Sequence, residues 1–164
     1  MNVTVNNPQK STSRTTKTAA SRKKKAYKSK KQNIPVRITD NELLNYIENN
    51  KISYDYIERF KKISHITDSI MSDILNLTER TVRNYRQSSE KKELSNTLRE
   101  KLVLLISLYK HGAIVFGTTE NFNTWLDTEN FILDKKAPRE FLKTVTGIRF
   151  IEDRLTGMEY GDNA

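Results

Sequence analysis

The residue types best suited to chemistry in this chain gather between positions 80 and 86. Arg80, Thr81, Arg83, Asn84 and Arg86 fall within two turns of a predicted short helix. Guanidinium, hydroxyl and carboxamide groups are donors matched to phosphate oxygens and base edges. The chemistry on offer is therefore recognition, not bond making. Just upstream, Ser72 is small where two helices must approach, and Asn76 tolerates the left-handed conformation of a tight turn. Thr78 can cap the next helix and Val82 can anchor it. Together these residues suit a helix-turn-helix. An ordinary helical hairpin with a solvated basic face accounts for them as well.

Material for catalysis is scarce. The chain has no Cys, hence no disulfide, thiolate ligand or Cys nucleophile. Its two histidines, His65 and His111, lie far apart without carboxylates at ligand spacing, and each reads as a surface or core residue. Asp153 and Glu159 could pair, but acidic residues on a terminal helix are usually solvated. Five glycines leave little for a phosphate-binding loop. The expectation is a non-enzyme that needs no metal or cofactor.

The charge of the 164-residue chain is +9, with a pI near 9.7, and it is unevenly placed. Residues 1–33 hold ten basic residues, Lys23, Lys24 and Lys25 among them, and no acid; the remainder is close to neutral at −1. The first segment is rich in Ser and Thr and almost empty of large apolar groups, so burial cannot offset its ordering entropy. It reads as a disordered basic arm. Either it contacts phosphates, each contact releasing counterion, or it is a solubilising tail. A Lys-dominated run without an apolar face is a poor presequence, and no apolar core of a secretory signal is present. No apolar run approaches the length of a membrane span.

These residues need elements to hold them, and from Ile34-Pro35 onward the pattern is helical. Thr39 and Glu42 have capping-box spacing and open a helix with Leu43, Leu44 and Ile47 at core spacing. Tyr54 to Lys62 forms a second helix with Ile57 and Phe60 inward. Thr67-Asp68 starts a third, with Ile70, Met71, Ile74 and Leu75 on one face, and Glu79 to Gln87 forms a fourth with Val82 and Tyr85 inward. Leu98 to Tyr109 is apolar on nearly all sides, so it is either a central core helix or a dimer contact. That run ends at Gly112 and resumes to Gly117, a helix stop. Thr118 or Thr119 caps a short helix with Phe122, Trp125 and Leu126; Pro138 opens another with Phe141 and Leu142. A last helix runs from about Gly147 to Leu155. The fold is all-α.

Past Gly112 a longer pattern emerges. Val115-Phe116-Gly117, Phe122, Trp125-Leu126, Ala137-Pro138, Phe141-Leu142, Thr144, Gly147, Leu155 and Glu159-Tyr160-Gly161 occur in one order and spacing. This string resembles the C-terminal domain of the Xre/MbcA/ParS-type antitoxins, partners of RES-domain toxins. The stretch from Ser72 to Arg86, with Arg80-Thr81-Val82, resembles that family's DNA-binding half. The likeness covers roughly residues 52–161.

The resemblance implies three parts: the basic arm 1–33, an Xre-like helix-turn-helix domain 34–110 and a toxin-binding domain 111–164. It implies an antitoxin that blocks the active site of a RES-domain, NAD-consuming toxin and represses its own operon on operator DNA, as a cytoplasmic homodimer. Met158, Glu159, Tyr160 and Gly161 would face the toxin, unless Tyr160 packs on its own domain. Two departures stand out: Asp134-Lys135 replace a usual pair of glycines, and Gly157-Met158 replace Arg-Ile. A stand-alone DNA-binding regulator is the main alternative; a nonspecific packaging or RNA-binding protein driven by the arm is a third.

Overall fold

The structure is a computed structural model and describes residues 1–3, 33–88 and 94–161. Among the described residues it is built of helices, with an isolated bridge between Asn130 and Lys136. The elements are α1 (Asp40–Asn49), α2 (Asp55–Ser64), α3 (Asp68–Leu75), α4 (Glu79–Gln87), α5 (Asn96–Val115), α6 (Thr119–Asp127) and α7 (Val145–Glu159). Two 3-10 segments, Phe131–Leu133 and Pro138–Lys143, lie between α6 and α7. The all-α expectation holds.

Local chemistry sets the helix starts. Thr39 and Glu42 form the capping box: the Glu42 amide donates to Thr39 Oγ1, and the Thr39 amide donates to the Glu42 carboxylate at 2.8 Å. Threonine side chains also cap α3 (Thr67), α4 (Thr78), α6 (Thr118) and α7 (Thr144), and Ser95 caps α5. Left-handed residues end helices at His65 and Asn76, and Gly117 follows α5 at φ 80°.

The centre of the fold is α5. Every residue from Lys101 to Tyr109 is buried. Helices α1, α2, α6 and α7 all pack on it, so its apolar circumference is consumed within one chain. The sequence left a core helix and a dimer contact open for this stretch, and the core helix is what forms. Ahead of α1, residues 34–38 form a strap across α5. Ile34 and Ile38 are buried, Ser107 Oγ donates to the Pro35 carbonyl at 2.9 Å, and the Ile38 amide donates back to Ser107 Oγ at 3.0 Å.

Several expectations need correction. Leu44 is 60% exposed, because Leu43 and Tyr46 carry the buried stripe of α1 and α5 is its main partner. Helix α5 continues through Gly112 to Val115, in keeping with the stop expected at Gly117. Gly112 is required by packing: a Cβ there would lie 2.4 Å from the Phe122 ring. Helix α7 is longer than its apolar pattern, since Thr144 caps it and Glu159 still belongs to it. Asp134 and Lys135 both adopt the left-handed conformation, at φ 54° and 61°. The backbone there has the shape that favours glycine, which a side chain adopts at a cost. Replacing Lys135 with Gly should therefore raise stability by about 0.5–1 kcal/mol in urea unfolding.

One buried charge ties α5 to the segment that leads into α7. Lys101 on α5 donates to the Lys143 carbonyl at 2.6 Å, and the Asn76 carboxamide donates to the same oxygen at 3.0 Å. Burial pushes the Lys101 ammonium down to about 8, with the Asp73 charge opposing. Between about pH 8 and the ordinary lysine value the unfolded chain holds a proton that the folded chain has lost. Stability from this group therefore rises with pH across that window and is lowest below it. Lys101→Met leaves the Lys143 carbonyl with its Asn76 donor. It should raise stability at pH 7 by on the order of 1 kcal/mol and abolish the rise between pH 8 and 10, as read by thermal melts at stepped pH.

Candidate partner interfaces

Two surfaces hold the residues singled out from the sequence. The first is the pair α3 and α4. Asn76, at φ 54°, turns the chain after α3, and the Leu77 amide donates to the Ser72 carbonyl at 2.9 Å. Thr78 Oγ1 accepts from the Thr81 amide at 3.1 Å and lies 2.8 Å from Thr81 Oγ1. Val82 is fully buried, and Tyr85 is half-buried, stacked on Tyr54 with centroids 4.3 Å apart. This leaves Arg80, Arg83 and Asn84 exposed on the outer side of α4. Arg83 is within 3.7 Å of Glu79, one turn back. Thr81 is half-buried, its hydroxyl turned to the cap.

Arg86 has a different setting from the other three. Its Nε donates to Glu58 on α2 at 2.7 Å and its Nη1 donates to Asp68 on α3 at 2.7 Å. Lys61 approaches Asp68 to 2.9 Å. The Lys61 hydrogen bond holds the Asp68 carboxyl below its usual range, and the Arg86 charge adds to it. The guanidinium is thus the clasp that fastens α4 to the two helices before it. Lys23, Lys24, Lys25 and almost all of the arm lie outside the described residues.

The second surface is the end of α7. Met158 packs against the core, Tyr160 is 76% exposed, and Gly161 reverses the chain at φ 91°, its amide donating to the Met158 carbonyl. Tyr160 does not pack on its own domain. Glu159 is held from two sides. Arg37, in the strap, donates to its carboxylate at 2.7 Å, and His111 Nε2 lies 3.3 Å from the same oxygen. His111 is almost wholly buried, and its Nδ1 faces Glu152 at 2.7 Å. Tyr160 is within hydrogen-bonding reach of the Arg37 guanidinium, and that contact, with the Glu159 charge, favours its charged form. Asp153 is exposed and takes no part in this cluster.

Arg37 and His111 are the members of this site that residue spacing did not reveal. Arg37 is 122 positions from Glu159 and His111 is 48 away, so no local pattern joins them. Only the strap lying across α5 brings them together.

Residues 111–161 match the family model described as the antitoxin Xre/MbcA/ParS C-terminal toxin-binding domain. The match begins in the last turns of α5 and ends at Gly161, so it takes in the whole α7 tip. No curated protein matches the chain.

The two classes of arginine on α4 separate by experiment. Arg86→Ala breaks two ion pairs at a half-buried position and should cost about 1–2 kcal/mol in urea unfolding. Arg83→Ala and Asn84→Ala touch no such clasp and should stay within about 0.5 kcal/mol of the parent.

Proposed function

We propose that this chain, whose residues 111–161 match the toxin-binding domain of the Xre/MbcA/ParS antitoxins, is such an antitoxin: it silences a RES-domain, NAD-consuming toxin with one surface and represses its own operon with the other. The observation that carries the toxin half is the α7 tip. The matched segment ends in an exposed tyrosine beside a carboxylate on a rigid, capped helix. A projecting aromatic with low rotamer entropy is the kind of anchor that fills a pocket. Met158, Glu159, Tyr160 and Gly161 form the plug: Tyr160 enters the toxin's cleft and Glu159 meets its cations.

The DNA half rests on α3 and α4 acting as a helix-turn-helix, with α4 laid in the major groove. Arg80, Arg83 and Asn84 read base edges or phosphates. Thr81 contributes through its position at the start of that helix. Arg86 acts mainly by fixing the helix in place. Lys23, Lys24 and Lys25 of the arm add sequence-independent affinity through phosphates. A two-fold operator calls for a homodimer, and its contact lies elsewhere than on the buried stretch of α5 from Lys101 to Tyr109.

Co-expression with the product of the adjoining gene tests the toxin half. The full chain should co-purify with that protein and restore growth. Tyr160→Asp, or a stop after Gly157, should abolish both while operator binding persists. Binding to operator without any protection of cells would favour a stand-alone regulator. For the DNA half, removal of residues 1–33 should lower affinity alike for all sequences and flatten its dependence on salt, whereas Asn84→Ala should narrow the gap between operator and random DNA. An unchanged salt slope would sink the phosphate-contact role of the arm.

A further inference from the structure

Among the described residues from 33 onward, the exposed large apolar side chains are Val36, Leu44, Ile114, Phe131, Ile132 and Tyr160. Three of them are neighbours, in sequence or by one helical turn, of residues in the Glu159 cluster. Tyr160 follows Glu159 in sequence. Val36 adjoins Arg37, whose guanidinium holds the Glu159 carboxylate at 2.7 Å. Ile114 lies one helical turn beyond His111, whose Nε2 faces the same carboxylate. Solvated apolar groups next to the residues of a fixed ion pair are what an interface presents before its partner arrives.

The strap is also well placed to be a rigid part of such a surface. Ile34 and Ile38 are buried on either side of Val36 and Arg37. Backbone carbonyls of the strap accept from Ser107, Lys110 and Arg149, which belong to α5 and α7. Arg37 is therefore pinned at both flanks, with φ of 54°, while its side chain is 40% exposed. Gly157 and Met158, just before Glu159, supply no cation of their own. The guanidinium at the tip comes from the other end of the chain.

We propose that Val36 and Arg37 are toxin contacts, so that the docking surface is a composite of the N-terminal strap, the end of α5 and the α7 tip. The occupant is the toxin itself, its cleft rim offering apolar surface to Val36, Ile114 and Tyr160 and an acceptor oxygen to the outer side of Arg37. A guanidinium has five N–H donors, so one paired with Glu159 retains donors for a second acceptor. This inference rests on the antitoxin reading above, and it adds a determinant that the toxin-binding domain alone does not contain.

The test measures binding of the full chain to the protein encoded by the adjoining gene, by calorimetry, with thermal melts and operator affinity followed in parallel. Arg37→Glu and Val36→Asp should each weaken toxin binding tenfold or more while melts and operator affinity stay unchanged. Arg37→Lys should recover part of the loss. Ile114→Asp should weaken binding similarly, and this variant leaves the strap intact. Leu44→Asp serves as the control and should bind like the parent. It lies on α1, whose first residue, Asp40, pairs with Arg149, about 15 Å along α7 from Glu159. If the strap variants bind within twofold of the parent while Tyr160→Ala does not bind, the composite surface is wrong and the antitoxin reading stands. If the parent itself fails to bind, both are wrong.

Discussion

Everything else in this molecule follows from a helix that has no polar face. Nine consecutive residues of α5 are buried, from Lys101 to Tyr109. A fully buried aliphatic side chain contributes roughly 1.5–3 kcal/mol, while an exposed ion pair is worth about 0–1 kcal/mol. The apolar coat of α5 therefore outweighs the surface charge pairs of the fold. Such a helix must be covered on all sides, and one layer of neighbours cannot do it. Helices α1, α2, α6 and α7 and the strap share the task.

That constraint gives the few buried polar groups their meaning. Lys101, Ser107 and His111 are spaced along α5, and each reaches an element of distant sequence. Lys101 reaches the Lys143 carbonyl, which Asn76 also reaches from the α3–α4 turn. Ser107 holds the strap, and His111 faces Glu152 and Glu159 on α7. A core made only of leucine and valine sets little register; these polar groups each accept one partner geometry. They also place the two candidate interfaces at defined positions on one framework. The Lys143 side chain pairs with Asp73 on α3 at 2.8 Å, so the segment leading into α7 leans on the α3–α4 pair.

Local rules were legible in the residues. Thr39 with Glu42, Thr67, Thr78 and Thr118 are caps because a side-chain oxygen meets an amide two or three residues on, and sequence distance contains that whole interaction. The same holds for Asn76 and Gly117, whose conformations depend on their own backbone. Leu44 misleads because apolar spacing tells which residues can share a face, not how wide a face the neighbours will cover. Glycine signals either a helix end or a close approach; Gly117 serves the first, and the Phe122 ring shows that Gly112 serves the second.

The contrast between Arg83 and Arg86 marks the boundary. Both sit on α4 amid donors, and sequence alone determined that this stretch is a basic, capped helix following a tight turn. Which guanidinium faces outward depends on where Glu58 and Asp68 arrive, on two other helices. The C-terminal tip repeats the lesson. Order and spacing of residues 111–161 were enough to carry the antitoxin resemblance, because that pattern is written within one continuous segment. The ring of groups about Glu159 is not. Arg37 lies 122 residues away, and a charge pair over that distance exists only once the apolar helix between has drawn the strap and α7 onto its surface.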